Sequence, residues 1–359
     1  MASGDAEGIQ GGEMVDLKRR LGEFPRTVLM RGATPIETAP RLGEALGIEL
    51  LLKRDDDTGL AFGGNKVRQL EFYFGQAQAE SADTVLITGA VQSNYVRVVA
   101  AAAAKLGMQA HVQLEQRVPG MDETYHTSGN VLLNDLLGAV RHDYPVGEDE
   151  EGADRALQKL AEELREAGRR PYVIPLGPGH PPIGSLGYVA AAIELVEQMP
   201  DLSERLGAIV VASGSAMTHA GLLYGLRAWG QRVPVLGICV RRAASLQQRL
   251  VEQKCADLAE LMGMPRFVEA GDVQVFDEKL APGYGQLNDE VFEAISMTAR
   301  LEGVLLDPTY TGRAMAGLIA LVQGGGIEAG SPVMFVHTGG GPAVFAYETE
   351  LRARLDAAG

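Results

Sequence analysis

Cysteine, aromatic residues and positive charge are all scarce in this chain, and each scarcity excludes a class of protein. Two cysteines, Cys239 and Cys255, cannot build a disulfide framework in 359 residues. Neither belongs to a CxxC pair or a Cys/His cluster of metal-ligand spacing, so both read as fillers and no metal is expected. Lys and Arg number 32 against 47 Asp and Glu, a formal charge of −15 that argues against a nucleic-acid partner. No apolar run reaches the ~18 residues needed to cross a bilayer, because Lys105, Glu194 and Gly214 interrupt the best stretches. The Gly-rich, acidic segment Met1–Gly12 lacks the basic and apolar regions of a signal peptide. A cytoplasmic protein with no membrane partner is expected, residues 1–15 forming a flexible tail.

What the chain has in excess is glycine, 45 residues against a usual share of about 7%. Hydrophobic residues make up 46%, enough for a large core, and the length suits two lobes better than one. From about Leu50 short β-rich apolar runs alternate with longer amphipathic stretches, the pattern of βαβ units around parallel sheets. Strands are expected at 49–53, 84–88, 110–114, 172–176, 208–212, 235–240, 304–306 and 333–336. Helices are expected at 65–80, 93–106, 129–137, 150–167, 186–199, 218–229, 245–262, 289–301 and 312–322.

Gly, Ser, Thr and Asn gather just after strands, in 88–94, 177–180, 213–218 and 337–341. In open parallel sheets ligands bind at these carboxyl ends, where loops expose backbone N–H groups at helix N-termini. Four such loops imply a sizeable bound anion or cofactor. No GxxxxGK[ST] occurs, and Gly177-Pro178-Gly179-His180-Pro181-Pro182 breaks GxGxxG at its last glycine, which demotes NTPases and hydride-transfer enzymes. Ser213-Gly214-Ser215-Ala216-Met217-Thr218, between a strand and a helix, offers hydroxyls and backbone donors to one phosphate. Gly63-Gly64-Asn65 reads as a turn and cap that places Lys66 in a first helical turn, the wrong end for a cation. A surface lysine is the plain alternative; a desolvated or imine-bound lysine, a standard covalent catalyst, has no such conflict.

Gly63-Gly64-Asn65-Lys66-x-Arg68, Gln92-Ser93-Asn94, Gly214 to Thr218, Ala281-Pro282-Gly283-Tyr284-Gly285, Leu306 to Gly312 and His337-Thr338-Gly339-Gly340 resemble, collinearly, the motifs of the D-cysteine desulfhydrase / 1-aminocyclopropane-1-carboxylate deaminase family. That family also includes L-cysteate sulfo-lyase. The resemblance implies a two-lobed α/β parallel-sheet fold of pyridoxal phosphate fold type II (tryptophan-synthase β-like). Residues 16–68 and 175–359 would form a large cofactor-binding domain and 69–174 a smaller one, in a homodimer. It implies pyridoxal 5′-phosphate on Lys66, its phosphate on Ser213, Gly214, Ser215, Ala216, Met217 and Thr218, and its phenolic oxygen on Asn94. Lys66, Ser93, Tyr284 and Tyr310 would be catalytic, and Gln92, Ser93, Asn94, Tyr95, Tyr284 and Tyr310 would line the pocket of a small amino-acid substrate. At Thr311 the cyclopropane deaminases carry a glutamate that reaches the pyridine nitrogen; threonine gives a neutral contact, and Thr338 competes for the same place. A less electron-demanding ring favours β-elimination over cyclopropane opening or transamination. The expected products are pyruvate, ammonia and the β-leaving group. The alternatives are β-replacement, racemisation, cyclopropane deamination, or a non-catalytic small-molecule-binding relative.

Three departures from the family bear on the pocket: the loop 177–184 is about one residue longer, Tyr95 stands where His is typical, and Met217 stands where glycine is common. His111, His126, His142 and His219 read as structural, and His337 as an orienting hydrogen-bond partner. The acidic run 147–151 reads as a solvated face, and 98–104 as a close-packed helix.

Overall fold

A computed structural model of the protein describes residues 16–176 and 179–358. The expected tail and Gly177-Pro178 fall outside the described residues. Ten strands form two sheets. The larger has the order β1 (Ile36–Thr38), β2 (Glu49–Lys53), β10 (Pro332–Val336), β7 (Ala208–Ser213), β8 (Val235–Cys239), β9 (Gln274–Phe276). Only β1 runs antiparallel, pairing Ile36 with Lys53. The smaller sheet, β5 (Val140–Tyr144), β4 (Gln109–Glu115), β3 (Thr84–Ala90), β6 (Pro171–Ile174), is wholly parallel.

The central strands are buried along their whole length, as in β3 and β7. A parallel sheet covered by helices on both faces demands such continuous apolar runs, which made these strands legible in the sequence. β5 and the short β1 and β9 escape that signal: β5 alternates half-buried and exposed residues at a sheet edge, and β1 and β9 are three residues each. The strand expected at Val304–Leu306 does not form. The segment has no regular structure, Leu305 is 64% exposed, and no described strand pairs with it. The Leu305 carbonyl instead accepts from His337 Nε2 at 3.1 Å, and the chain turns at once into the Asp307 loop. Short helices at 16–22, Pro40–Leu46, Glu123–Thr127 and Glu348–Ala358 add to those expected.

Helices pack closely where side chains are small. A Cβ on Gly221 would lie 2.3 Å from the Ser185 carbonyl oxygen, so helix Met217–Ala228 rests directly on the chain entering helix Leu186–Gln198. This contact fixes the start of the first helix, and with it the Ser213–Thr218 loop. His111 and His142, read as structural, meet across β4 and β5 with Nδ1 3.0 Å from Nε2 and rings stacked.

The chain leaves the large sheet after β2, builds the small sheet, and returns at β7. The carboxyl ends of both sheets therefore deliver loops to one place. No helix among the described residues is long and apolar enough to cross a membrane.

Candidate active site

That place is a cavity of about 350 Å³. Its wall takes Asn65 and Lys66 from beyond β2, Thr88 to Ala90 from the end of β3 with Ser93 to Tyr95 beyond it, and Glu115 at the end of β4 with Arg117 just past it. The loop after β7, Arg241 and Arg242 after β8, and Thr338 and Gly339 after β10 complete it, with Tyr284 and Tyr310.

Lys66 opens helix Lys66–Ala79 after a run of left-handed backbone at Ala61, Phe62, Gly63 and Gly64. Only glycine fits at 63, with φ +61° and a notional Cβ 2.0 Å from the Asp56 carbonyl oxygen. Asn65 stands at the N-cap, yet its side chain does not cap the helix. It reaches the opposite loop instead, donating Nδ2–H to Thr218 Oγ1 at 2.8 Å. The Lys66 ammonium has Gln69 Oε1 at 3.3 Å and the Tyr95 ring centroid at 4.6 Å, with no carboxylate in contact among the described residues. Burial alone lowers its pKa to about 8.

Helix Met217–Ala228 has no side-chain cap, and its N-cap Ala216 is held left-handed at φ +66°. The amides of its first turn therefore lack intrahelical acceptors and lie at the positive end of the helix dipole. Thr218 Oγ1 accepts from both Asn65 Nδ2 and Gln69 Nε2 (2.8 and 2.9 Å), which leaves its own proton to donate elsewhere. Asn94 is oriented likewise: its Oδ1 accepts from Asn130 Nδ2 at 3.0 Å, leaving the Asn94 amide N–H groups as donors. Ser93 Oγ caps helix Asn94–Leu106 by accepting from Val96 N–H at 3.3 Å, and its proton is likewise available. Tyr284 and Tyr310 join hydroxyls at 2.5 Å. Burial raises the pKa of both, so both are neutral phenols at pH 7; for Tyr284 the charge of Arg117 opposes the rise.

Of the residues expected here, Lys66, Ser93, Asn94, Tyr95, Gly214, Ser215, Ala216, Thr218, Tyr284, Tyr310 and Thr338 line the cavity. Gln92, Ser213, Met217 and Thr311 do not. Gln92 is engaged by the backbone of Tyr125, Ser128 and Asn130. Ser213 Oγ meets His219 Nδ1 and Gln247 Nε2, and Met217 Sδ lies 3.9 Å from the Tyr73 hydroxyl. The Thr311 hydroxyl donates to Asp307 Oδ1 at 2.7 Å and accepts from Asp307 N–H at 2.8 Å. Thr338, unlike Thr311, lines the cavity. Asp307 also takes the amides of Thr309, Tyr310 and Thr311, and so sets the helix that carries Tyr310. His337 is an orienting group: Nε2–H donates to Leu305 O, and Nδ1 accepts from Gly339 N–H at 3.2 Å.

The acidic run 147–151 is not simply a solvated face. Glu150 lines the cavity and bridges Arg241 and Arg242. Arg117, Arg241, Arg242 and Lys254 were not anticipated, although the rule that ligands gather at strand carboxyl ends could have found the first three. Arg313 is a further unanticipated residue: its guanidinium donates to the carbonyls of Leu280, Ala281, Gly283 and Gln286, fastening the loop that presents Tyr284.

A lysine of lowered pKa, an uncapped helix start with an aimed hydroxyl, and an amide donor opposite it suit an aldehyde-bearing, phosphorylated aromatic cofactor. Fold and site thus define a two-sheet α/β enzyme of the pyridoxal-phosphate type. Residues 28–339 match the pyridoxal-phosphate dependent enzyme family, and the chain belongs to it. It is 44% identical to the D-cysteine desulfhydrase of Salmonella typhi over 91% of this chain and 97% of that one. The same figures hold for the desulfhydrase of Salmonella choleraesuis. A crystal structure of an ACC deaminase homologue superposes with a TM-score of 0.83 at 37% identity, covering 94% of this chain and 98% of the other. A fungal L-serine ammonia-lyase from Rhizomucor miehei shares the fold at a TM-score of 0.62 and 18% identity, over 90% of this chain and 98% of its own. The chain is a pyridoxal phosphate-dependent lyase.

Replacing Thr218 with Val should remove one hydroxyl donor from the cavity wall and leave the Asn65 and Gln69 amides without that acceptor. Each such loss costs about 1–3 kcal/mol. Cofactor affinity, followed by absorbance titration of the apoenzyme, should weaken about 10- to 100-fold, with a lower melting temperature.

Proposed function

We propose that the enzyme removes the β-substituent of a small amino acid, D-cysteine first among them, to give pyruvate, ammonia and the leaving group. The similarity to D-cysteine desulfhydrases supports this. The observation that carries it is the neutral Thr338 in the cavity wall. Among the described lining residues the carboxylates Glu115, Glu150 and Asp154 each face a cationic or imidazole partner, which leaves none for a pyridine nitrogen. A threonine contact fits elimination better than cyclopropane opening.

When bound, pyridoxal phosphate supplies the electron sink for charge left at Cα. Lys66 would hold it covalently and, once displaced by the substrate amine, take the Cα proton on Nζ. The loop Gly214–Thr218 would hold the phosphate and Asn94 the ring oxygen. Ser93, at a helix N-terminus, would bind the substrate carboxylate. The Tyr284–Tyr310 pair, neutral and hydrogen-bonded, would hand a proton to the departing group. A large domain of residues 16–68 and 175–359 around a small one of 69–174 suits this cleft. A cytoplasmic homodimer is our reading for the assembled enzyme, sedimentation being its check.

An assay of pyruvate and ammonia across D- and L-cysteine, cysteate, serine, β-chloroalanine and 1-aminocyclopropane-1-carboxylate tests the proposal. Hydrogen sulfide released in step with pyruvate from D-cysteine is the expected result. Turnover of the cyclopropane substrate alone, or thiols diverting product away from pyruvate, would overturn it.

A further inference from the structure

Arg97 and Arg313 are the largest side chains that the fold buries completely. Arg313 directs its guanidinium at a fan of loop carbonyls. Arg97 does not. It donates Nη2–H to the Gly63 carbonyl oxygen at 2.8 Å, while its Nε and Nη1 meet no acceptor among the described residues. No described carboxylate pairs with it either: Asp307, the charge that acts on it, is filled by three backbone amides and the Thr311 hydroxyl. Burial lowers the Arg97 pKa to about 10, with Asp307 opposing the fall, so the side chain is a cation at pH 7. A buried cation without a paired carboxylate destabilises a fold, which makes packing a poor account of why Arg97 is there.

Its place in the chain supplies a better one. Arg97 lies one turn into helix Asn94–Leu106, whose N-cap is Ser93, and its backbone N–H donates to the Ser93 carbonyl at 3.3 Å. The carbonyl held by its guanidinium belongs to the left-handed turn Ala61–Gly64, three residues before Lys66. A turn with non-glycine residues at positive φ persists only where its surroundings hold it. Thr58 Oγ1 donates to the Gly64 carbonyl at 3.1 Å, and Asn65 N–H to the Thr338 carbonyl at 3.0 Å. Gly63 depends on Arg97, for no other donor reaches its carbonyl among the described residues. We infer that Arg97 is the positioning residue of the cofactor lysine: through Gly63 it fixes Lys66 in register with Ser93 and Asn94. Groups from beyond β2 and beyond β3 then face one ligand as a preorganised set. Arg97 itself is not among the residues of the cavity wall and acts through the turn. The inference rests on the reading of Lys66 as the cofactor's point of attachment.

The test compares the full-length wild type, Arg97→Met and Arg97→Lys by thermal melting and by stopped-flow absorbance of cofactor uptake between pH 6 and 10. Arg97→Met keeps an apolar stem and strands no carboxylate, so it should melt within about 3 °C of the wild type. Its cofactor uptake should nonetheless slow about 10- to 100-fold, the scale of a reacting group displaced by about 1 Å. The midpoint of the pH dependence, about 8 in the wild type, should rise as Lys66 regains water. Arg97→Lys keeps a donor for the Gly63 carbonyl and should recover uptake to within about tenfold of the wild type. A wild-type rate and midpoint in Arg97→Met would overturn the inference, as would a lysine variant no faster than the methionine one. An Arg97→Met chain that fails to fold would also overturn it, by making Arg97 a packing residue after all. If Lys66→Ala stays coloured and active, the Lys66 reading falls first and this one with it.

Discussion

Lys66→Ala is expected to abolish turnover, lowering kcat on the order of 10⁴-fold or more, and to remove the visible absorption band of the bound cofactor. Both effects follow from one amine. Lys66 is placed by the strained turn Ala61–Gly64 and lies against the Tyr95 ring without a counter-charge among the described residues. Burial disfavours its ammonium and sets its pKa near 8. The protonated form dominates below that value and the nucleophilic amine above it. Cofactor uptake by the wild-type apoenzyme should therefore quicken as pH rises through about 8 and level off beyond. Stopped-flow absorbance measures this directly. Cofactor uptake independent of pH between 6 and 10, or a coloured and active Lys66→Ala enzyme, would remove Lys66 from the role proposed for it.

Arg68→Met is expected to cost the most stability of any single substitution near the site, about 3–5 kcal/mol. Arg68 stands two residues beyond Lys66 and anchors its helix from behind. Its guanidinium donates to both Asp55 oxygens at 2.8–3.0 Å, to both Glu194 oxygens at 2.8 Å and to Thr34 Oγ1 at 2.9 Å. Lys53 adds a 2.6 Å contact to Glu194, and the Tyr188 hydroxyl donates to Asp55 at 2.6 Å. Methionine roughly preserves the volume, but it takes the paired cation from buried Asp55 and leaves half-buried Glu194 to Lys53 alone. A melting temperature lower by about 10 °C is the scale implied.

The pH dependence follows from the same groups. Burial pushes the Asp55 and Glu194 carboxyls up, but Arg68 with Lys53, joined at Asp55 by the Tyr188 bond, outweighs it and holds both below their usual range. A depressed carboxyl pKa stabilises the fold above the unfolded value and ceases to do so as pH falls through the folded one. The wild type should thus lose this contribution on acidification below about pH 4. The gap to Arg68→Met should narrow there, since protonation relieves the stranded charge. A gap constant from pH 7 to pH 3 in thermal melts would contradict this.

The fold was legible wherever burial is continuous. β3, β7 and β10 are apolar runs whose glycine-bearing exits announce carboxyl-end loops, and Lys66 stood out because a cation at a helix start opposes the dipole. β5 was hidden by its polar edge sequence, and Val304–Leu306 misled because strand composition does not supply a partner strand. The site was legible only in part. Gln92 and Thr311 sit in motifs that reach the cavity, yet their side chains are bound elsewhere. Nothing in one dimension reveals that Asp307, four residues earlier, occupies the Thr311 hydroxyl.

The sequence by itself determined the alternation of strands and helices, the excess of glycine where backbone must turn left-handed, and the lysine and loops that line the cavity and that we propose hold the cofactor. These are local properties, fixed by propensity, periodicity and steric limits on φ. Only the tertiary structure decided that Asn65 and Gln69 reach across to aim the Thr218 proton, and that Glu150 closes on Arg241 and Arg242. Hydrogen-bond direction and charge pairing depend on groups far apart in the chain, and they come into being only when two sheets bring their carboxyl ends to one cavity.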